Sequence, residues 1–409
     1  MERFGALARR ARRARRATLL AVAAACSDPR STTVTTPEPA TRPEAAAQRR
    51  PPVQYRVAPP AGKLPWPQHD PAFSPEQYEA MLRDLYIANN FALLQAGPEP
   101  SSSYLHHGID VVLDNGTPIH AVQSGYVRSI MDSPQAEFYK WILIEDADAP
   151  GEGWGYAHVD DFRVKVGDHV PQGTRIASVR FRGLEHVHVD RIRRPEGGDW
   201  RDLYSLVNEQ PESYFVYDDT QPPVFFERTF YFRNQSDGVF APPASGGRVT
   251  VSGDVDVVVG VRDPGEHGHS RRFPVDDRQA PARLEYAIAP LGGTAPRRAS
   301  FDFRTLQIPR LRNEAPVVTT VFKFYRAVIP TNVPSAFESR MAFYVVTNAP
   351  ETGRAGMVDP TDAALSWRTA ERRADGTPRY PDGEYVVTVW AYDFRGNVAS
   401  RSDTVRVRN

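Results

Sequence analysis

Apolar and polar positions change their period several times along this chain, and each change marks an element or a boundary. From residue 26 to residue 70 there is no period at all. The segment is rich in Pro, Thr, Ala and charge, a composition that cannot bury enough apolar surface to pay for order, so it is expected to be a disordered tether. At "SPEQYEAMLRDLYIANNFALL" the spacing turns helical: Tyr78, Met81, Leu82 and Leu85, continuing to Ala88 or Asn89, form a one-sided stripe that fits core packing. Ser74 is placed as N-cap, Pro75 at the first helical position and Gln77 to close a capping box.

From Tyr104 to Val189 the period drops to two. "GIDVVLDNG", "TPIHAVQSGYVRSI", "WILIEDA", "GWGYAHV", "VKVGDHVPQGTRIASV" and "HVHVDRI" are short alternating runs split by Gly and Asn turns, which predicts a compact all-β domain. From about Asp218 the chain is again strand-like, in "VTVSGDVDVVVGVRD", "ARLEYAIAP", "MAFYVVT" and "GEYVVTVWAYDFRGN", among others. Alternating strands with polar loops suit a β-sandwich; without a Cys pair its immunoglobulin likeness is architectural only. "VSGDVDVVVGVRD" and "GEYVVTVWAYD" are loosely alike and fit two strands of one sandwich. The fold class expected is mostly β with one short N-terminal helix. The expected domains are 71–217, with the helix at its start, and 218–409, long enough for an insertion or two sub-domains.

Residues 1–25 carry a basic stretch, then an apolar run from Ala17 to Ala25 that is too short to span a bilayer, then small residues. This predicts an export signal. Cys26 follows it directly, as the lipidated cysteine of a bacterial lipoprotein would. Ala23 stands where Leu is usual, and Ala23-Ala24-Ala25 also permits plain signal cleavage. With Ser27 next, the expected location is the periplasm, anchored to the outer membrane. A single Cys forms no internal disulfide.

At 409 residues the chain exceeds one ordinary core, and 41% hydrophobic residues are enough to build two. The formal charge of zero hides an asymmetry. The first 25 residues carry seven Arg and one Glu, so the remainder stands at about −6, which argues against nucleic acid as a partner.

Five of the ten histidines, His106, His107, His158, His186 and His188, fall in the tight β domain beside aspartates or each other. In "HVHVD" the alternation puts Val187 and Val189 toward a core and His186, His188 and Asp190 on the other face. In "HHGID" an extended chain puts His106 and Asp110 on one face and leaves His107 peripheral. Two imidazoles and a carboxylate are a donor set that catalytic zinc uses, with a further position for water.

"HHGIDVVLDNGTPIHAVQSGYV", "YAHV" and "HVHVD" together resemble, in order, the M23 family of zinc metallopeptidases, the LytM and lysostaphin type. The resemblance covers about residues 100–195 and implies a compact duplicated-hairpin β-sheet domain. Carried over by position, it implies one Zn2+ held by His106, Asp110 and His188, with His158 and His186 as the two histidines acting on water and oxyanion. Asp190 would fix the tautomer of His188. The implied activity is hydrolysis of peptide cross-links in peptidoglycan. "HVHV" replaces the family's usual "HLHF", and "VRFRGLE" is bulkier and more charged than its Gly-rich loop, so the substrate is less firmly carried over than the metal.

Other histidines read as structural: His120 as a strand filler, His169 as a turn residue, His69 as solvated near the tether's end, His267 and His269 as part of a polar loop. Asp160 and Asp161 fit a solvated turn. Arg191 to Arg194 fit either a charged loop or a contact to substrate carboxylates. Two competing functions are a silent activator or scaffold of another wall hydrolase, disfavoured by the complete set of five residues, and a lipoyl-like carrier, for which Lys165 lacks an acceptor setting. The C-terminal module is expected to bind wall, polysaccharide or a protein partner.

Overall fold

The computed structural model describes residues 53–95, 103–132, 140–181, 185–226, 228–243, 247–264, 279–309, 318, 320–323, 343–348 and 366–409. The export signal, Cys26, His267 and His269 lie outside the described residues. The fold is mostly β, and among the described residues no helix is long and apolar enough to cross a membrane. The chain divides into two compact units, one holding residues up to 88, 107–217 and 309, the other 89–106, 218–308 and the described residues from 318 onward.

In the first unit helix α1 (Pro75–Arg83) begins as its sequence dictates. Ser74 accepts from the Gln77 N–H and the Gln77 side chain accepts from the Ser74 N–H, closing the capping box. The helix is shorter than the apolar stripe suggested. It stops at Arg83, and Ile87–Asn89 is instead strand β1, because sheet pairing to the edge of β2 (Ile109–Val112) takes over from helical periodicity.

The remaining strands are β3 (Pro118–His120), β4 (Gly125–Met131), β5 (Trp141–Asp146), β6 (Glu152–Ala157), β7 (Val159–Asp160), β8 (His169–Val170), β9 (Arg175–Val179), β10 (His186–Arg193) and β11 (Val207–Glu209). The main sheet runs β1-β2-β10-β6-β5-β4-β8, with β11 also on β10; a small sheet runs β3-β9-β7. Ile109, Val111, Val187, Val189, Ile142, Tyr156, Ile119 and Ile176 share one core.

That core also takes in the segment before the helix, where a disordered tether was expected. Trp66 is buried, stacks on Phe215 at 4.4 Å and donates its indole N–H to the Val216 carbonyl at 2.7 Å. His69, expected to be solvated, is fully buried between Tyr55 and Tyr78, each 4.6 Å away ring to ring. The low-complexity composition around these residues hid two large rings that find a pocket.

The second unit is a β-sandwich. One sheet centres on β15 (Asp254–Arg262), flanked by β12 (Val224–Phe225), β13 (Phe230–Arg233), β18 (Phe343–Val345) and β19 (Trp367–Arg368). The other runs β14 (Thr250–Val251), β21 (Val398–Val407), β20 (Gly383–Tyr392), β16 (Arg283–Pro290), β17 (Arg298–Asp302). Val255, Val257, Val259 and Val261 of β15 meet Tyr385, Val387 and Val389 of β20 in a single core. The two similar valine-rich segments are thus facing strands. Phe91, Leu94 and Leu105 of the segment 89–106 join the same core.

Candidate metal centre

β10 carries the site because both of its edges are paired and its two faces do different work. Antiparallel register sets His188 opposite Asp110 of β2 on one side and Ala157 of β6 on the other. Residues directly opposite share a face, so the alternation that sends fully buried Val187 and Val189 to the core puts His186, His188 and Asp110 together on the reverse. His106 reaches the same place by a different route. Residues 106–108 are not strand but an irregular stretch with a bend at Gly108. That bend requires glycine, since a Cβ there would sit 2.3 Å from the Val189 carbonyl oxygen.

One ligand atom each from His106, Asp110 and His188 lies within 4.8 Å of the others, and all three residues are buried. The Asp110 carboxylate is 2.8 Å from Nδ1 of His188 and 3.6 Å from Nε2 of His186. Nε2 of His188 faces Asp190 Oδ1 at 2.9 Å, and that oxygen also accepts from Asn208 Nδ2 at 2.8 Å. His106 Nδ1 is 3.0 Å from the Asn90 carbonyl, a contact that needs the Nδ1–H tautomer and turns Nε2 into the donor atom. Burial pulls the His188 imidazole down, but the charges and hydrogen bonds of Asp190 and Asp110 on its two nitrogens outweigh it and push it up to about 9. The position is thus built to hold positive charge.

His158 follows β6 with φ of 61°, a left-handed turn that ends the strand and swings the ring over the site. Its ring lies 4.6 Å from that of His186 and 6.2 Å from that of His188, and 4.4 Å from Phe181, which also packs on His186 at 4.9 Å. The tyrosine of "YAHV" is structural: Tyr156 is buried on the core face and its hydroxyl accepts from the Val122 N–H at 2.9 Å.

All six residues picked from the sequence for this site (His106, Asp110, His158, His186, His188, Asp190) therefore come together. His107 is half-buried and outside the ligand group. Sequence reasoning missed Asn208, the Asn90 carbonyl and Phe181, and nothing in "LVNEQ" or "IANNF" marks them. It also left Arg191 open as a substrate contact. Arg191 is instead buried in β10, paired with Asp146 at 2.6 Å and with Glu152, and lies over the Trp154 ring at 5.2 Å. Asp160 and Asp161 are taken up by Lys140 and Arg163. His169, expected in a turn, is half-buried in β8 against Tyr126.

The donor set fits a small divalent ion such as zinc: two imidazole nitrogens and a carboxylate oxygen close enough to share one ion, with Asp190 bracing one imidazole from behind.

Comparison with known proteins agrees in position. The family model described as Peptidase family M23 matches residues 104–197. Lysostaphin from Staphylococcus staphylolyticus is 32% identical over 101 residues, which is 24% of this chain and 21% of that protein. Lysostaphin from Staphylococcus simulans is also 32% identical, over 24% of this chain and 20% of its own length. The chain thus spans about a fifth of the length of these curated relatives. Among solved structures, LytU is 30% identical over 32% of this chain and 85% of its own, with a TM-score of 0.26. The catalytic domain of lysostaphin from Staphylococcus simulans is 22% identical over 28% and 86%, with a TM-score of 0.24. Over residues 104–197, then, the chain carries a peptidase family M23 domain.

Proposed function

We propose that this chain is an exported zinc-dependent endopeptidase that hydrolyses peptide cross-links of bacterial peptidoglycan. The observation that carries the proposal is the convergence of His106, Asp110 and His188 on one point, with the rings of His158 and His186 beside it. The similarity to lysostaphin, named an antimicrobial peptidase in its solved structure, supports peptidase activity.

His106, Asp110 and His188 would hold the ion, and zinc there supplies Lewis acidity toward water and the scissile carbonyl. The chain's own part is proton handling and charge placement. His186, 3.6 Å from the Asp110 carboxylate, and His158 beside it can each accept a proton from the attacking water as neutral imidazole. Either can then donate to the oxyanion or the leaving amine. Asp190 and Asn208 keep His188 in one orientation. The basic and apolar start of the sequence supports export, and Cys26 supports a lipid anchor at the outer membrane. The second unit would serve as a wall-, polysaccharide- or protein-binding module.

Digestion of purified peptidoglycan, with mass spectrometry of the released fragments, tests the proposal. Fragments cut at peptide cross-links are expected from the wild type and not after chelation or in His188→Ala. Undiminished cleavage by His188→Ala, or with zinc stripped, would rule out the zinc-hydrolase mechanism. A zinc-loaded wild type that releases nothing would move the weight to a silent activator of another hydrolase.

A further inference from the structure

The segment that ends in His106 is built into the sandwich before it reaches the histidine. Residues 89–106 group with the second unit. Within them Leu94–Gln95 pairs antiparallel with Tyr104–Leu105, and Phe91, Leu94 and Leu105 are buried in the sandwich core. Ala92, fully buried, takes a left-handed φ of 62°, a conformation that residues other than glycine adopt only at a cost. Two backbone bonds then close on the histidine itself. The Ala92 N–H donates to the His106 carbonyl at 2.9 Å, and the His106 N–H donates to the Leu93 carbonyl at 2.8 Å.

Asn90 stands at the root of this hairpin and is used at both its backbone and its side chain. Its backbone carbonyl, 3.0 Å from His106 Nδ1, is the group that selects the Nδ1–H tautomer. Its side chain is buried and grips the backbone of one sandwich residue twice: Nδ2 donates to the Ala280 carbonyl at 2.8 Å, and Oδ1 accepts from the Ala280 N–H at 2.9 Å. Ala280 is itself fully buried, and its neighbour Gln279 exchanges two backbone bonds with Asp263 at the end of β15. Only an amide offers a donor and an acceptor together at this reach.

A histidine that ligates a metal is oriented by whatever its other nitrogen bonds to. For His188 that group is a side chain, Asp190. For His106 it is a main-chain carbonyl, which is only as fixed as the chain that bears it. We propose that Asn90 is a positioning residue for the metal: by gripping Ala280 it fixes the carbonyl that orients the His106 ring, so zinc affinity depends on the sandwich. This rests on the assignment of His106 as a zinc ligand.

The test uses the full chain and reads zinc affinity by competition with a chromophoric chelator. The second readout is the pair of ring-nitrogen NMR shifts of His106 in zinc-free protein. Asn90→Ala and Asn90→Asp should each weaken zinc binding at least about tenfold and move His106 away from a single Nδ1–H tautomer. Thr347→Val is the control, since it removes the hydroxyl that accepts from the Val257 N–H in the buried sandwich. Val257 lies about 20 Å along β15 from Asp263, so this variant should lower the thermal midpoint and leave zinc affinity and the His106 shifts unchanged. Coupling is reciprocal, which makes the wild type informative even where a variant fails to fold. Zinc loading should slow hydrogen exchange of the Ala280 amide by a larger factor than that of the Val257 amide. Wild-type affinity in a folded Asn90 variant, an equal loss in Thr347→Val, or equal slowing at Ala280 and Val257 would each overturn the assignment. A wild type that binds no zinc would refute the metal site and this assignment with it.

Discussion

Asp190 shows how a single side chain sets what its neighbour can do. It accepts from His188 Nε2 on one side and is held by Asn208 on the other, so His188 is left with Nδ1 toward Asp110. Asp190→Asn removes the charge but keeps the shape. It is expected to lower zinc affinity by about 10–100-fold, measured by competition with a chromophoric chelator, and to leave the circular dichroism spectrum unchanged. His158 and His186 should behave in the opposite way. Replacing either by Ala is expected to cut kcat by about 10²–10⁴-fold with one zinc still bound per chain; loss of the metal along with the rate would reassign that residue to binding. The sequence could show these two classes only because "HVHVD" is a strand with both edges paired. Its period of two separates core valines from site residues, and the i to i+4 pair of His106 and Asp110 then has a fixed partner. What it could not show is Asn208, Phe181 and the Asn90 carbonyl, which come from elements without any periodic or chemical mark of their own.

Elements carry the next level of constraint, and two of them are testable. The bend at Gly108 lies against the backbone of β10, where a methyl group would collide with the Val189 carbonyl. Gly108→Ala must therefore push β2 away from β10, at a cost of about 1–3 kcal/mol. The expected result is a lower thermal midpoint together with loss of zinc stoichiometry, since Asp110 and His188 depend on that register. The segment before α1 makes a different prediction. His69 is buried with neither ring nitrogen hydrogen-bonded among the described residues, and burial above all, with His120 nearby, lowers its pKa to about 4. The unfolded chain protonates His69 near pH 6.5, so its contribution is fully present above that value and is lost as pH falls toward 4. His69→Phe, set among Tyr55, Phe73 and Tyr78, should remove on the order of 2–3 kcal/mol of the acid-induced loss, read as the difference between denaturant midpoints at pH 7 and pH 4.5. An equal acid loss in both proteins would refute the assignment. Periodicity misread this region for one reason: Trp66 and His69 are isolated in a Pro-rich stretch, and burial of single rings leaves no pattern.

At the level of the whole chain, each of the two units buries an ionisable group whose pKa burial shifts strongly, His69 in one and Asp256 in the other. In the sandwich Asp256 on β15 is 2% exposed, and burial raises its pKa to about 6 despite the hydrogen bond it accepts from the Gln235 N–H at 3.0 Å. Below pH 4 the folded and unfolded chains both hold this proton, and Asp256 costs nothing. Between pH 4 and pH 6 the unfolded chain has already released it while the folded one has not, so stability declines, and above pH 6 the full penalty persists. The sign is opposite to that of His69, which loses stability on acidification over nearly the same range, so wild-type curves at a single pH would conceal both. Asp256→Asn isolates the sandwich contribution. It keeps an oxygen for the Gln235 N–H and should abolish the decline, giving a gain over wild type at pH 7.5 that exceeds the gain at pH 4 by on the order of 2 kcal/mol. Denaturant unfolding of the full chain at the two pH values, with the zinc concentration held constant, measures that difference directly. If the two proteins differ by the same amount at both pH values, Asp256 is not protonated in the fold, and the decline belongs to another carboxylate.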